Sequence, residues 1–201
     1  MSKAKWLVLV IVLVLLGLWA GGFFSTAPAT ETEQGAAVAT APIDSSDAII
    51  AQESSAIEAQ MKVVGNQLAA FSQVPTAVKA DLLVGQLAPV SNMMKKLATR
   101  LESRVAILKK MGYDTNIMQG AVSDMNLQLS YAVSLIGVGG QLATSIKPDN
   151  DDSAQANKNS AALQQIKIEL QKSQNYLVAV QKDIKTVVDG FKAISASQPT
   201  L

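Results

Sequence analysis

The chain has 201 residues, with 17 basic and 16 acidic side chains, no histidine and no cysteine. The missing cysteine excludes a disulfide framework, a thiolate nucleophile and a cysteine metal site, and the missing histidine removes the commonest base and metal ligand. The near-neutral balance argues against nucleic-acid binding, which normally shows as a strong basic excess.

Lys3 and Lys5 precede an uncharged run from Trp6 to Phe24. As a helix this run spans roughly 28 Å, nearly the thickness of a hydrocarbon core of about 30 Å. Lysines on the short leader favour a cytoplasmic N-terminus, and Trp6 and Trp19 stand near the ends of the run as interfacial aromatics would. The expectation is a cytoplasmic leader at 1–5, a transmembrane anchor at 6–24 and a single-pass protein with the remainder outside. The alternative is a cleaved signal peptide, because Ala27-Pro28-Ala29 has the small-x-small pattern of a cleavage site. Cleavage near Ala29 would leave a secreted or periplasmic protein.

Residues 25–46, rich in alanine and threonine with two prolines, offer nothing to a core and read as a flexible spacer. Ser46 or Asp47 is a cap for a first helix carrying Ile50, Ser54, Ile57, Met61, Val64, Leu68 and Phe71 at alternating steps of four and three. Val74-Pro75 interrupts it. A second helix begins around Thr76, with Val78 and Leu82 opening its stripe and Pro89 kinking or dividing it. The stripe resumes through Val90, Met94, Leu97, Leu101, Val105 and Leu108, then stops at Gly112 behind Lys109 and Lys110.

Asp114 or Thr115 caps a third helix bearing Met118, Val122, Met125, Leu129, Ala132, Ile136 and Leu142. Gly137, Gly139 and Gly140 near its end either permit a close helix crossing or mark fraying. An acidic, proline-led turn leads to the fourth helix, whose stripe runs from Leu163 through Ile166, Leu170, Ser173, Leu177, Val180, Ile184, Val187 and Phe191 to Ile194. Residues 196–201 form a polar tail. Strand signals are weak, and the short links predict antiparallel neighbours. The fold class is all-α: an N-terminal transmembrane helix plus an elongated up-down antiparallel three- or four-helix bundle over 47–195, with the first helix in or out of the core.

Little in the sequence carries chemistry. Ser103 and Lys96 share a helix seven residues apart, but a serine nucleophile needs a base held against it, and two solvated side chains are the better reading. Asp149, Asn150, Asp151 and Asp152 lack the glycine and the distant glutamate of a calcium loop, so capping explains them better. No catalytic, cofactor or metal site is assigned, and the protein is expected not to be an enzyme. Lys95, Lys96, Arg100, Arg104, Lys109 and Lys110 form a candidate patch for an anionic partner, set against the plainer reading of a solvated helix face, with Arg104 snorkelling along the apolar stripe. Ile49, Ile107, Ile117, Leu127, Tyr131, Val133, Val138, Ile168, Tyr176, Val178 and Val188 fall beside or off the strict seams. The preferred reading is a widened core, with Ile168 and Tyr176 as the candidate partner surface.

The stretch Leu97-Ala-Thr-Arg-Leu-Glu-Ser-Arg-Val-Ala-Ile-Leu-Lys-Lys-Met-Gly-Tyr-Asp-Thr and the helix after it, about residues 94–132, resemble a helical-hairpin domain of uncharacterised membrane-attached or secreted bacterial proteins. The shared pattern is an Arg-containing apolar helix, a Gly-x-Asp-Ser/Thr turn and a returning helix. The resemblance implies the hairpin and brings no catalytic residue or function with it. The returning helix holds fewer charges here than that pattern has. The functional expectation is a membrane-tethered extracytoplasmic module for protein interaction or cell-envelope structure, attached through 6–24 and meeting itself or another envelope protein. The alternative is an extracytoplasmic ligand-binding or sensory domain that works with a separate membrane partner.

Overall fold

Each apolar stripe becomes the buried side of one helix. In the computed structural model, which describes residues 44–148 and 152–196, these are α1 (Asp44–Gln73), α2 (Ala77–Lys110), α3 (Asn116–Ser145) and α4 (Ser153–Ala196). No strand occurs among the described residues. Ile50, Ile57, Met61, Val64, Leu68 and Phe71 of α1 are buried, and so is the α4 series from Ile166 to Phe191. Steps of three and four keep these residues on one side of a 3.6-residue helix, which is the condition for burying them together.

The start of α2 departs from expectation. Val78 and Leu82 are exposed, at 79% and 53%, and the buried residues are Ala80, Leu83 and Leu87. The reason lies at Pro89, which sits inside α2 without dividing it. A continuous helix extends the Val90–Leu108 stripe backwards in the same register, and steps of three and four from Val90 land on Leu87, Leu83 and Ala80. Proline removes the hydrogen bond its own N–H would have made one turn back and crowds the carbonyl there, which the helix accommodates without breaking.

The helix ends have local causes. Thr76 Oγ1 accepts from Lys79 N at 3.3 Å at the start of α2. At its end Gly112 adopts φ 89°, the Gly112 N–H donates to Lys109 O (3.0 Å) and the Tyr113 N–H donates to Leu108 O (3.1 Å). These two bonds make a Schellman stop, and Tyr113 packs against the core beneath it. Asp114 Oδ1 accepts from Asn116 N (3.1 Å) as α3 begins. Asp152 Oδ1 accepts from Ala154 N (2.9 Å) and Gln155 N (3.4 Å), so this member of the acidic turn caps α4. Asp149, Asn150 and Asp151 lie outside the described residues.

Consecutive helices run antiparallel, as the pairings Glu53 with Arg100, Lys109 with Gln119, and Gln128 with Asp183 require. α1 packs on α2 and α4, α3 on α2 and α4, and α2 meets α4 across the diagonal, while α1 and α3 do not touch. All four helices therefore share one core, and α3 with α4 makes its most extensive seam. That seam closes at Gly139, where an added Cβ would stand 2.9 Å from Leu170 Cδ2. Only a residue without a side chain lets Leu170 approach the α3 backbone so closely, so the close crossing is realised there and α3 continues to Ser145 without fraying. Lower in the seam the buried Ser173 Oγ donates to Ala132 O at 3.2 Å, which satisfies the one hydroxyl in the α4 stripe.

The membrane expectations are corrected. No helix among the described residues is long and apolar enough to cross a membrane. The run 6–24 and the cleavage pattern at Ala27-Pro28-Ala29 lie outside the described residues. Over the described residues the fold is a four-helix bundle, with no membrane-spanning helix among them, in place of the expected transmembrane helix plus a three- or four-helix bundle. The single-pass topology, the placement outside a membrane and attachment through 6–24 have no structural element behind them and are set aside.

Candidate interaction surface

The six basic residues of α2 do not form one field. Arg100 is ion-paired with Glu53 of α1, while Lys109 Nζ donates to Gln119 Oε1 of α3 at 3.0 Å, so the set is drawn towards two different seams. Arg104 is half-buried, and Lys95, Lys96 and Lys110 are exposed. Exposed lysines spaced along a helix make a solvated face, and an exposed pair such as Arg100 with Glu53 contributes little to stability. An open groove of about 440 Å³ lies between α1 and α2, lined by Ile49, Ile50, Thr99, Arg100, Ser103 and Ile107 among others. Ser103 Oγ donates to Thr99 O (2.9 Å) in its own helix, so it is not held against Lys96 as a nucleophile would be.

The eleven off-seam apolar residues behave differently from the widened core expected of them. Only Val188 packs against the core. The other ten are exposed, from Tyr176 at 36% to Ile117 at 79%. Five of these ten belong to α3: Ile117, Leu127, Tyr131, Val133 and Val138. Leu127, Tyr131 and Val138 are spaced by four and seven residues, so they stand on one line along the helix. Ser134 shares that line, and the added space at Gly120 and Gly137 is open.

This outer side has almost no charge. α3 contains one ionisable acid or base of the Asp, Glu, Lys and Arg set, Asp124, in 30 residues, whereas the 34 residues of α2 contain nine. A helix that buries one side normally solvates the other with charges. α3 instead presents leucine, tyrosine, valine, serine and glutamine to the outside.

The shoulder of α4 continues the surface. The rings of Tyr131 and Tyr176 lie with centroids 5.4 Å apart at 41°, a tilted pair that bridges the two helices. Ile168, 44% exposed, stands two turns before Tyr176 on α4. The sequence-derived partner residues Ile168 and Tyr176 therefore adjoin a larger surface whose main part, Leu127, Tyr131 and Val138, had been assigned to core widening. The signal that identifies it is the scarcity of charge over the whole of α3, a property of a helix rather than of any residue.

Beyond this surface, along the same seam, Asp124 of α3 faces Asp183 of α4. Burial, and then the neighbouring Asp124 charge, raise the Asp183 pKa above the ordinary carboxylate range, with Lys182 opposing them. Gln128 Nε2 donates to Asp183 Oδ2 at 3.3 Å. Among the described residues no group of three or more acidic side chains gathers as a metal site would require.

Compared with known proteins, the chain matches no protein family, no curated relative and no solved structure.

Proposed function

We propose that this four-helix bundle is a non-catalytic protein-interaction module whose contact surface is the outer side of α3 with the adjoining shoulder of α4. The observation that carries the reading is the near absence of charge on α3 together with the exposure of Leu127, Tyr131 and Val138 on one line. Exposed large apolar side chains are unremarkable singly, but a contiguous row bordered by polar residues marks an interaction surface. Tyrosines at its middle fit that use, since they offer large apolar area with a polar tip and few torsions to immobilise. The earlier expectation of a tethered module is replaced by one that rests on this surface alone and needs no membrane.

A photoreactive side chain placed at Val138 in the full chain tests the reading, with the same probe at Lys96 as control. Irradiation in the native cell is expected to give discrete adducts from position 138 and none from position 96. An equal or empty result at the two positions would overturn it.

A further inference from the structure

We infer that the partner received by the α3 surface is a second copy of this chain, bound through an antiparallel α3–α3 contact across a two-fold axis. The inference rests on the interaction reading above and adds the identity of the occupant.

Charge decides first. A two-fold interface sets a patch against itself, so a patch of one dominant sign meets that same sign. The basic outer side of α2 would repel its own copy, with Lys95, Lys96 and Lys110 exposed there. α3 carries only Asp124. The α4 shoulder adds exposed Lys172 between Ile168 and Tyr176, so the surface holds charges of both signs and no single-sign field that would select a partner of opposite charge.

Register decides next. Placing the axis between Tyr131 and Ser134 sets Leu127 against the partner's Val138, Tyr131 against the partner's Ser134, and Asp124 against the partner's Gln141. Large meets small at the centre, apolar meets apolar on either side, and the carboxylate meets an amide donor. The two Asp124 carboxylates then stand about 25 Å apart along the helices, beyond a Debye length of about 8 Å. Ser134 and Gly137, both exposed and small, let the helix axes approach to about 8–10 Å, the ordinary distance of packed helices.

Area is sufficient. From Gly120 to Ser145 the strip is about 38 Å long, and α3 with the α4 shoulder is about 20 Å wide, which offers about 760 Å² per subunit. A stable interface of standard size uses about 800 Å² from each partner.

The absence of cysteine from the chain makes the test direct. In the full chain, Ser134→Cys lies close to the axis, where two copies come within disulfide reach. Ser123→Cys lies on the same side of α3 but far from its symmetry mate. Under mild oxidation in intact cells, Ser134→Cys is expected to give a band at twice the chain mass, and Ser123→Cys and Lys96→Cys none. Leu127→Lys added to Ser134→Cys is expected to abolish most of that band while helix content and the stability of the isolated subunit stay unchanged. Co-expressed Leu127→Cys and Val138→Cys chains are expected to cross-link with each other. A Ser134→Cys yield no greater than that of Lys96→Cys would overturn the second copy, and equal yields from Ser123→Cys and Ser134→Cys would overturn the antiparallel register. If position 138 meanwhile yields photo-adducts to a different protein, the interaction reading stands and only the second copy falls.

Discussion

α2 and α3 are antiparallel neighbours joined by five residues, and their inner sides are built alike. Leu97 and Leu101 on one, and Met125 and Ala132 on the other, are wholly removed from solvent. Their outer sides diverge, with nine charged residues on α2 and one on α3. Packing into a shared core explains what the inner sides have in common. It places no demand on the outer sides, so the difference there reports what each helix faces outside the bundle. On α2 that is water, and on α3, by the reading above, another protein surface.

The comparison breaks first if inner and outer residues prove energetically alike. Leu101→Ala and Met125→Ala are each expected to destabilise the bundle by about 2–5 kcal/mol in urea unfolding, through lost apolar burial and the cavity left behind. Leu127→Ala, on the outer line of α3, is expected to change the stability of a single subunit by no more than about 0.5 kcal/mol. A large loss at Leu127 in the isolated subunit would mean that its side chain belongs to the core.

Two glycines of α3 separate the sides more finely. At Gly139 any Cβ meets Leu170, so Gly139→Val is expected to cost about 1–3 kcal/mol by overpacking. At Gly137 the space is open, so Gly137→Ala is expected to gain about 1 kcal/mol from helix propensity. Thermal melts of the two variants should move in opposite directions.

The turn between the helices gives a smaller effect. Gly112 holds φ 89°, a left-handed conformation that penalises any side chain. Gly112→Ala is expected to cost about 1–2 kcal/mol, measured by chemical denaturation. Its helix content should be unchanged, because both helices keep their buried stripes.

The smallest expected effect concerns the single charge of α3. Asp183 faces Asp124 across the seam, and its carboxyl holds its proton more tightly in the folded than in the unfolded state. Stability contributed by this group therefore rises as pH falls through the raised folded value towards the ordinary carboxylate value, and is least above it. Asp183→Asn is expected to raise the melting temperature slightly at neutral pH and to flatten that rise on acidification. An unchanged pH profile would remove Asp183 from the account.

Much of the fold was legible in the residues. Stripes at three-four spacing gave the buried sides of α1, α4 and most of α2, because the helical period alone decides which residues share a side. The stop at Gly112 was legible too, since a left-handed position after two lysines is chemically marked. The start of α2 was not, because a proline admits either a break or a continuous helix, and only the packed bundle chose the continuous register that buries Ala80 and Leu83 while exposing Val78 and Leu82. The basic row of α2 was legible as residues, but not its division between Glu53 on one side and Gln119 on the other, which depends on partners distant in sequence.

By itself, then, the sequence determined helices, their order, their short links and the identity of their apolar stripes, all of which follow from local periodicity and end signals. The expected membrane span lies outside the described residues and gains no counterpart in the helices of the bundle. Only the tertiary structure decided that α1 completes a four-helix core, that Leu170 seats on Gly139, and that Leu127, Tyr131 and Val138 remain outside. The physical reason is that a helix period fixes which residues lie on one side, whereas how wide a side is buried depends on how many neighbours enclose it. α3 meets only α2 and α4, and Leu127, Tyr131 and Val138 stay exposed beyond what those two neighbours enclose.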